Sequence, residues 1–513
     1  MTRRKFLQTA STAVLGASFG GSLSSCIKKK SRALPSQPHI LLFMTDQHRG
    51  DSLGCMGNPV IKTPHIDAIA RNGVVFTNGY TASPSCTPAR AGLLTGLSPW
   101  HHGMLGYGRI AEKYKFEMPK MLRESGYYTL GIGKMHFYPQ NSLHGFHETL
   151  VDESGRVEHP DFVSDYRNWF KRKAPGLDPD ATGIGWNEHR SGVYALDERL
   201  HPTYWTGETA AELIDTYNVD KPLFLKVSFA RPHSPYDPPQ RFLDMYKEED
   251  MPAPSIGDWA GNFADYPMDK NSAFGDFGID HAKKSRRAYY ANVTFIDEMV
   301  GRIIEVLKRK GMYDNTLILF TSDHGDMLGD HHHWRKTYAY EGSSNIPFIM
   351  KWPSGIDNEI KRGTSLSNPV ELRDALPTFL DAAGADIPQE MDGLSLLNLV
   401  REENTEWRDY IDMEHSTCYE KHNYWCVLTD GEIKYIYFFS DGTEQLFNLK
   451  NDPGELSELS ANPVHLRTLQ LWRERMVAHL SERGEGFVKN GQLQVKKETL
   501  LYSPNYPGII PGK

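Results

Sequence analysis

A chain of 513 residues with 44 Gly and 31 Pro is long enough for one large core and a smaller second one, and its ordinary composition excludes a fibrous or disordered protein. Its net charge of -8, with no block of like charges, excludes the basic footprint of a nucleic-acid binder. Five cysteines (Cys26, Cys55, Cys86, Cys418 and Cys426) exclude a dense disulfide framework, although Cys418 and Cys426 could pair.

At the amino terminus, Thr2-Arg-Arg-Lys-Phe-Leu7 precedes an apolar run of small residues from Ala10 to Gly20. The run is too short to span a bilayer, so residues 1–25 read as an export signal with a twin-arginine flavour that is removed. Leu23-Ser-Ser-Cys26 is similar to a bacterial lipobox, which implies lipidation of Cys26, a tether over 26–37, and a protein that is periplasmic or at the cell surface, touching the membrane only through its anchor.

His39-Ile-Leu-Leu-Phe-Met44 is apolar without alternation, the pattern of a strand buried on both faces of a mainly parallel sheet. Asp46 and Gln47 follow at its carboxyl end, where open α/β sheets hold ligands, and are candidate metal ligands. Residues 63–73 read as a capped helix ending in Gly73, and 74–76 as the next strand. Then comes Ser83-Pro-Ser-Cys-Thr-Pro-Ala-Arg-Ala-Gly-Leu-Leu-Thr-Gly96. With Thr87 as N-cap and Pro88 in the first turn, a helix would start just after Cys86, aiming its N–H groups and dipole at that residue, with Arg90 on the same turn.

Residues 118–126 read as a helix and 129–132 as a strand leading to Lys134 and His136, which would share one side of an extended segment and could grip one anion. Residues 150–220 read as long loops over the rim. Pro222 to Phe229 is another buried strand, delivering His233. Residues 284–310 have the apolar spacing of the longest helix. Asn315 to Ser322 repeats the buried-strand pattern and delivers Asp323, His324 and Asp326, with Lys336 returning in the next loop. The run His331-His-His333 invites a zinc reading, but consecutive residues do not easily turn three rings to one ion. Residues 370–383 form an amphipathic helix. After about Leu396 the texture changes: 425–439 and 444–449 read as antiparallel strands and 465–480 as a helix. The expected organisation is a main domain over 38–395 and a smaller α+β subdomain over 396–513.

Cys86-x-Pro-x-Arg90 followed by Leu94-Thr-Gly96, together with Asp46, Gln47, Lys134, His136, His233, Asp323, His324 and Lys336 in this order, resembles the type I sulfatases, and the likeness runs from His39 to about Pro453. It implies an alkaline-phosphatase-like α/β/α sandwich and hydrolysis of sulfate esters. It also implies that a maturase oxidises Cys86 to formylglycine, whose hydrate attacks sulfur and whose second hydroxyl expels sulfate. In that scheme Asp46, Gln47, Asp323, His324 and residue 86 hold a metal ion. Arg90 and Lys134 stabilise the hydrate and the sulfate, Asp323 or a neighbour removes the attacking proton, His136 assists release, and His233 and Lys336 donate to the leaving oxygen. Oxygen-rich ligation favours Ca²⁺, while Gln47 and His324, which depart from the commoner aspartate and asparagine, leave Mg²⁺ or Mn²⁺ open. Pro99 to Gly108 with Gly183-Ile-Gly-Trp186 resembles exported glycosaminoglycan uronate 2-O-sulfatases, and Gly133-Lys-Met-His136 with Leu143-His-Gly-Phe146 resembles choline sulfatase. The first likeness suits a sulfated oligosaccharide and makes His102, Arg109, Trp334 and Arg335 candidate substrate contacts. A phosphonate or phosphate monoesterase of the same superfamily is the rival enzyme, and a lipid-anchored carbohydrate-binding protein the non-enzyme alternative.

Overall fold

The strands that organise the fold are β1 (His39–Asp46), β2 (Val74–Phe76), β3 (Tyr128–Gly133), β4 (Glu148–Val151), β5 (Leu223–Pro232), β6 (Thr316–Ser322), β7 (Phe348–Lys351) and β8 (Thr364–Leu366). They form one sheet in the order β4-β3-β5-β1-β6-β7-β2-β8. Every neighbouring pair is parallel except those of β7, which runs antiparallel to β6 and β2. This computed structural model describes residues 37–510 apart from 154, 156–160, 267–268, 357–358, 402–404 and 421, so the export signal and Cys26 lie outside the described residues. Residues Gln37–Lys513 belong to one compact unit.

The unalternating run of β1 is explained by its two buried faces. Ile40, Leu42 and Met44 enter one core, with α2 (Cys86–Thr95), α3 (Met118–Glu124) and α6 (Ala375–Ala383). Leu41 and Phe43 enter the other, with α1 (Pro64–Arg71), α4 (Pro202–Thr216) and α5 (Ile279–Arg309). The result is the expected three-layer sandwich. Burying each of these side chains contributes about 1.5–3 kcal/mol, so β1 is anchored from both sides and its carboxyl end is a rigid place for a site.

Three expectations are corrected. The span 150–220 is not a set of loops: it carries a helix at Asp165–Lys173 and α4. The face of α4 toward α5 is made of small residues, so its apolar periodicity is faint; a Cβ on Gly207 would lie 2.6 Å from Met299 Cβ. The long helix α5 starts at Ile279, not 284, directly after Gly278 at φ 81. The strand expected over 425–439 is two strands, broken by a turn in which Gly431 has φ 87.

Those two strands belong to a separate antiparallel sheet of β9 (Ile411–His415), β10 (Trp425–Thr429), β11 (Ile433–Phe438) and β12 (Glu444–Asn448), in that order. Its faces alternate as period-2 geometry requires. Cys426, Leu428, Tyr435 and Tyr437 pack under α7 (Leu466–Leu480), while Trp425, Val427 and Ile436 meet Tyr80, Tyr338 and Tyr340 of the main body. Cys418 and Cys426 are both free thiols, so the pairing allowed by their spacing is not made. Among the described residues no helix is long and apolar enough to cross a membrane.

Candidate active site

The carboxyl ends of β1 and β6, which are neighbours in register Thr45 to Ser322, set Asp46 and Asp323 side by side. Helix α2 meets them end-on. It starts at Cys86 itself, and Thr87 is not its cap: the Ser85 Oγ that might cap it bonds instead with His415 Nε2 at 2.8 Å, while Thr87 Oγ1 accepts from Gly108 N at 3.1 Å. Cys86 therefore stands in the first turn, at the positive end of the helix dipole. Asp46, Cys86, Asp323 and His324 each offer an atom within 4.8 Å of the others, and all four are buried.

Cations close the cluster. Arg90 Nε donates to Asp323 Oδ2 at 2.9 Å and Arg90 Nη2 to Asp46 Oδ2 at 3.3 Å, and Lys134 Nζ reaches Asp46 Oδ2 at 2.5 Å. Lys336 Nζ lies 3.3 Å from Cys86 Sγ, 3.1 Å from Gln47 Oε1 and 2.8 Å from His233 Nε2. Burial by itself would raise Asp46, but Lys134, Lys336 and Arg90 hold it well below the usual carboxylate range. Burial and Asp46 likewise push the Cys86 thiol up, yet Lys336, Lys134 and His324 outweigh them and leave it lowered. This is an anion-stabilising pocket.

The histidines are oriented by their second nitrogens. His233 Nδ1–H donates to the Ser234 carbonyl at 2.8 Å, so Nε2 carries the lone pair that accepts from Lys336. Burial, then Lys336, holds this ring neutral, well below the ordinary histidine range. His324 Nδ1–H donates to the Gly325 carbonyl at 2.9 Å, which turns Nε2 to Cys86 Sγ at 3.3 Å. His136 differs: its segment is not extended but has φ 63, and neither ring nitrogen has a hydrogen-bond partner although the residue is buried. Its backbone N–H, with that of Met135, donates to Glu153 Oε1 at 2.7 and 2.9 Å, which fixes the turn.

Asp46, Gln47, Cys86, Arg90, Lys134, Asp323, His324, His233 and Lys336 thus meet at one rim. Two expected substrate contacts do not. His102 packs behind the far end of α2, where a Cβ on Gly92 would meet its Nε2 at 3.8 Å, and burial lowers it to about 3. Trp334 is 1% exposed, enclosed by His189, Phe277 and His281, with Nε1 donating to the Gly275 carbonyl. Both are packing residues, because nearness in sequence to a site does not decide which side of an element a side chain leaves from. Arg109 stacks on Tyr138 at 4.0 Å from an exposed loop beside Thr87, and Arg335 stacks on Tyr419 at 4.3 Å with its Nε unpartnered. Sequence reasoning missed the rings around the mouth: Tyr107, 44% exposed and edge-on to His136; Tyr419, 40% exposed; and Trp186, which spans His233 and Arg231. Tyr107 and Trp186 lie in the two runs that carry the oligosaccharide resemblance, whereas only the wealth of aromatics hinted at Tyr419.

Comparison with known proteins gives consistent matches. The profile described as Sulfatase matches residues 38–385, and that described as N-sulphoglucosamine sulphohydrolase, C-terminal, matches 329–482. An arylsulfatase of Clostridium perfringens is 38% identical over 89% of this chain and 97% of its own. A choline-sulfatase of Rhizobium meliloti is 32% identical over 92% and 93%. The crystal structure of a phosphonate monoester hydrolase of Agrobacterium radiobacter superposes with a TM-score of 0.73 at 25% identity, covering 87% of this chain and 96% of that one.

Proposed function

This chain belongs to the sulfatase family and is a sulfuric ester hydrolase, and on that premise we propose that its substrate is a sulfated saccharide bearing a uronic acid, from which it removes a 2-O-sulfate. The observation that carries the sulfate chemistry is the convergence of Lys336, Lys134 and Arg90 around Cys86 at the head of α2.

The donor set fits a divalent cation. The carboxyl groups of Asp46 and Asp323, an imidazole nitrogen held by a carbonyl and the oxygen of Gln47 line one buried space, as hard-ion ligands do. Asp46, Gln47, Asp323, His324 and the side chain of residue 86 would hold it, with Ca²⁺ favoured and Mg²⁺ or Mn²⁺ the alternatives; when bound, it would polarise a sulfate oxygen as a Lewis acid. Sulfatases generally carry formylglycine, and Cys86 is the residue that a maturase would convert, exchanging a thiol for an aldehyde that water hydrates.

The chain's own groups account for the rest. Arg90 and Lys134 neutralise the bound anion, and Lys134 leads the charges that hold Asp46 well below the usual carboxylate range. The unpartnered ring nitrogens of His136 suit the sulfate oxygens or the proton of the attacking group. Lys336, raised by Cys86 and Asp46 against the effect of burial, stays charged and bonds neutral His233, a pair able to give a proton to the departing alcohol. At the mouth, exposed Arg109 with exposed Tyr107 and Tyr419, the latter stacked on buried Arg335, supports a sugar that stacks its apolar face and offers a carboxylate to the Arg109 guanidinium fork. The same cations oppose a quaternary ammonium such as choline. The amino-terminal signal and Cys26 support an exported, lipid-anchored enzyme.

Sulfate release from matched disaccharides, with and without the uronate 2-O-sulfate, tests the assignment. Faster release from the 2-O-sulfated member supports it, whereas release only from an aryl or choline ester overturns the saccharide reading. A phosphonate or phosphate ester hydrolysed faster than the sulfate of the same alcohol would transfer the chain to the rival activity. Cys86→Ala should abolish turnover in every case, and mass spectrometry of the Cys86 peptide reports the conversion directly.

A further inference from the structure

Among the groups around the site, Gln47 is the most completely held. It sits at φ 70, in the left-handed region that a β-carbon disfavours, and is 1% exposed. Its backbone N–H donates to Asp323 Oδ1 at 3.1 Å, and its carbonyl accepts from Tyr289 OH at 2.6 Å. The amide Nε2 donates to Asp326 Oδ2 at 2.5 Å, and the amide Oε1 accepts from Lys336 Nζ at 3.1 Å. Asp326 is 0% exposed; its Oδ2 also accepts from Tyr236 OH and its Oδ1 from Leu328 N. Nothing in the mechanism so far uses Asp326 or Tyr236.

The chemistry of an amide gives this arrangement a consequence. A carboxylate shows oxygen at both ends, but an amide shows an acceptor at one end and a donor at the other, and exchanging them leaves the shape unchanged. A flipped Gln47 would aim hydrogens into the cluster and could not ligate a cation. An ammonium only donates, so the amide atom toward Lys336 must be oxygen. The Asp326 carboxylate, with donors Tyr236 and Leu328 already on it, takes the nitrogen. We propose that Asp326, itself fixed by Tyr236, is a positioning residue that holds the Gln47 amide with its oxygen toward the metal site and so enables an uncharged side chain to serve as a ligand. The proposal rests on the metal reading above and concerns two residues outside the ligand set.

The test is calorimetric titration of the chelator-treated full chain with Ca²⁺ and, separately, Mg²⁺. Asp326→Asn should weaken binding about 10- to 100-fold, because the new amide can offer Gln47 either a donor or an acceptor and no longer backs the orientation that Lys336 favours. Gln47→Glu alone should also weaken binding, since it sets a second carboxylate against Asp326. The double variant Gln47→Glu with Asp326→Asn should return to within about threefold of the parent, as ligand and keeper then suit each other again. A residue that merely supported the fold would not show this reversal. Tyr236→Phe, which keeps the carboxylate, should weaken binding by several-fold and serves if Asp326→Asn does not fold. Unchanged affinity in Asp326→Asn or Tyr236→Phe, or a double variant no better than Asp326→Asn alone, overturns the proposal. A parent chain that binds neither ion brings down the metal reading itself, a distinct result.

Discussion

Two places in this molecule bury a lysine among acids, and they differ in what they leave over. Beneath the carboxy-terminal sheet, Lys434 of β11 is 0% exposed and reaches Glu455 at 2.8 Å, Glu341 at 2.7 Å and the Ala339 carbonyl at 2.9 Å. Every donor has an acceptor and the charge is closed by carboxylates. At the rim of the main sheet, Lys336 is also buried, but its partners are an amide oxygen, a neutral imidazole and the Cys86 sulfur. Arg90 and Lys134 already serve the two carboxylates there, and neither ring nitrogen of His136 has a hydrogen-bond partner. Burial of charge is common to both; an unpaid surplus of cation is found at the rim alone of the two. The lesson is that a strongly shifted buried group points to function when its environment is left incomplete, and to structure when it is complete.

Replacing each lysine by methionine should separate the two in opposite directions. Lys336→Met is expected to lower kcat by about 100- to 10,000-fold, the range for losing a proton donor and an electrostatic contact at once. Its unfolding free energy should stay within about 1 kcal/mol of the parent, because no carboxylate is stranded. Lys434→Met should do the reverse: a loss of about 3–5 kcal/mol of stability, measured by denaturant titration, from leaving Glu455 and Glu341 buried without their cation, with kcat/KM of the folded fraction unchanged. If Lys336→Met unfolded the protein, or Lys434→Met silenced it while folded, the contrast between the two regions would fail.

The two regions are joined at His415, the last residue of β9, whose Nε2 bonds Ser85 Oγ just ahead of Cys86. Burial lowers this ring to about 3, as it does His102 and His333. Because the folded value lies below the ordinary histidine pKa of about 6.5, the unfolded chain binds more protons in between. The contribution is therefore whole above that pH and is lost as pH falls toward the folded value, at about 1.4 kcal/mol per unit for each ring. Denaturant midpoints taken between pH 7 and 5 should fall steeply in the parent, and His415→Gln should flatten the slope by about one ring's share. An unaltered slope would mean that His415 is charged in the fold.

How much of this was legible in the sequence follows from where each residue sits. β1, β5 and β6 are sandwiched by helices, so their unmixed apolar runs and the polar residues that end them mark both the sheet and its rim. Cys86, Asp46 and Asp323 are therefore found by reading strand ends and a helix start. The α4 region was obscured because its inner face is Gly207, Ala210 and Ala211, which pack by closeness and not by bulk. The mouth was obscured because Tyr419 and Trp186 arrive on loops far away in sequence, while His102 and Trp334, close to the motifs, turn inward. Asp326 was visible as a letter beside Asp323, but its role depends on Tyr236 and Gln47 meeting it in space.

The smallest expected effect concerns the mouth. Arg335 belongs to a stretch in which Leu328, His331, His332, Arg335 and Thr337 all have positive φ, each costing of order 1 kcal/mol, so the loop is held out of its preferred shape by what surrounds it. Two adjacent residues of that loop then have different tasks. Lys336 points to the reacting centre, while Arg335, itself buried, stacks on the exposed ring of Tyr419 and holds it at the mouth, where a sugar would pack. Arg335→Ala should accordingly raise KM about tenfold, near 1.4 kcal/mol, toward a sulfated uronate, with kcat little changed, while leaving a small aryl sulfate almost unaffected. Equal losses on both substrates would show that Arg335 shapes the loop carrying Lys336 and not the ring that meets the sugar. A loss confined to the uronate would divide the loop into a part that performs chemistry and a part that selects what reaches it, which is the contrast between complete and incomplete environments repeated at the scale of two neighbouring side chains.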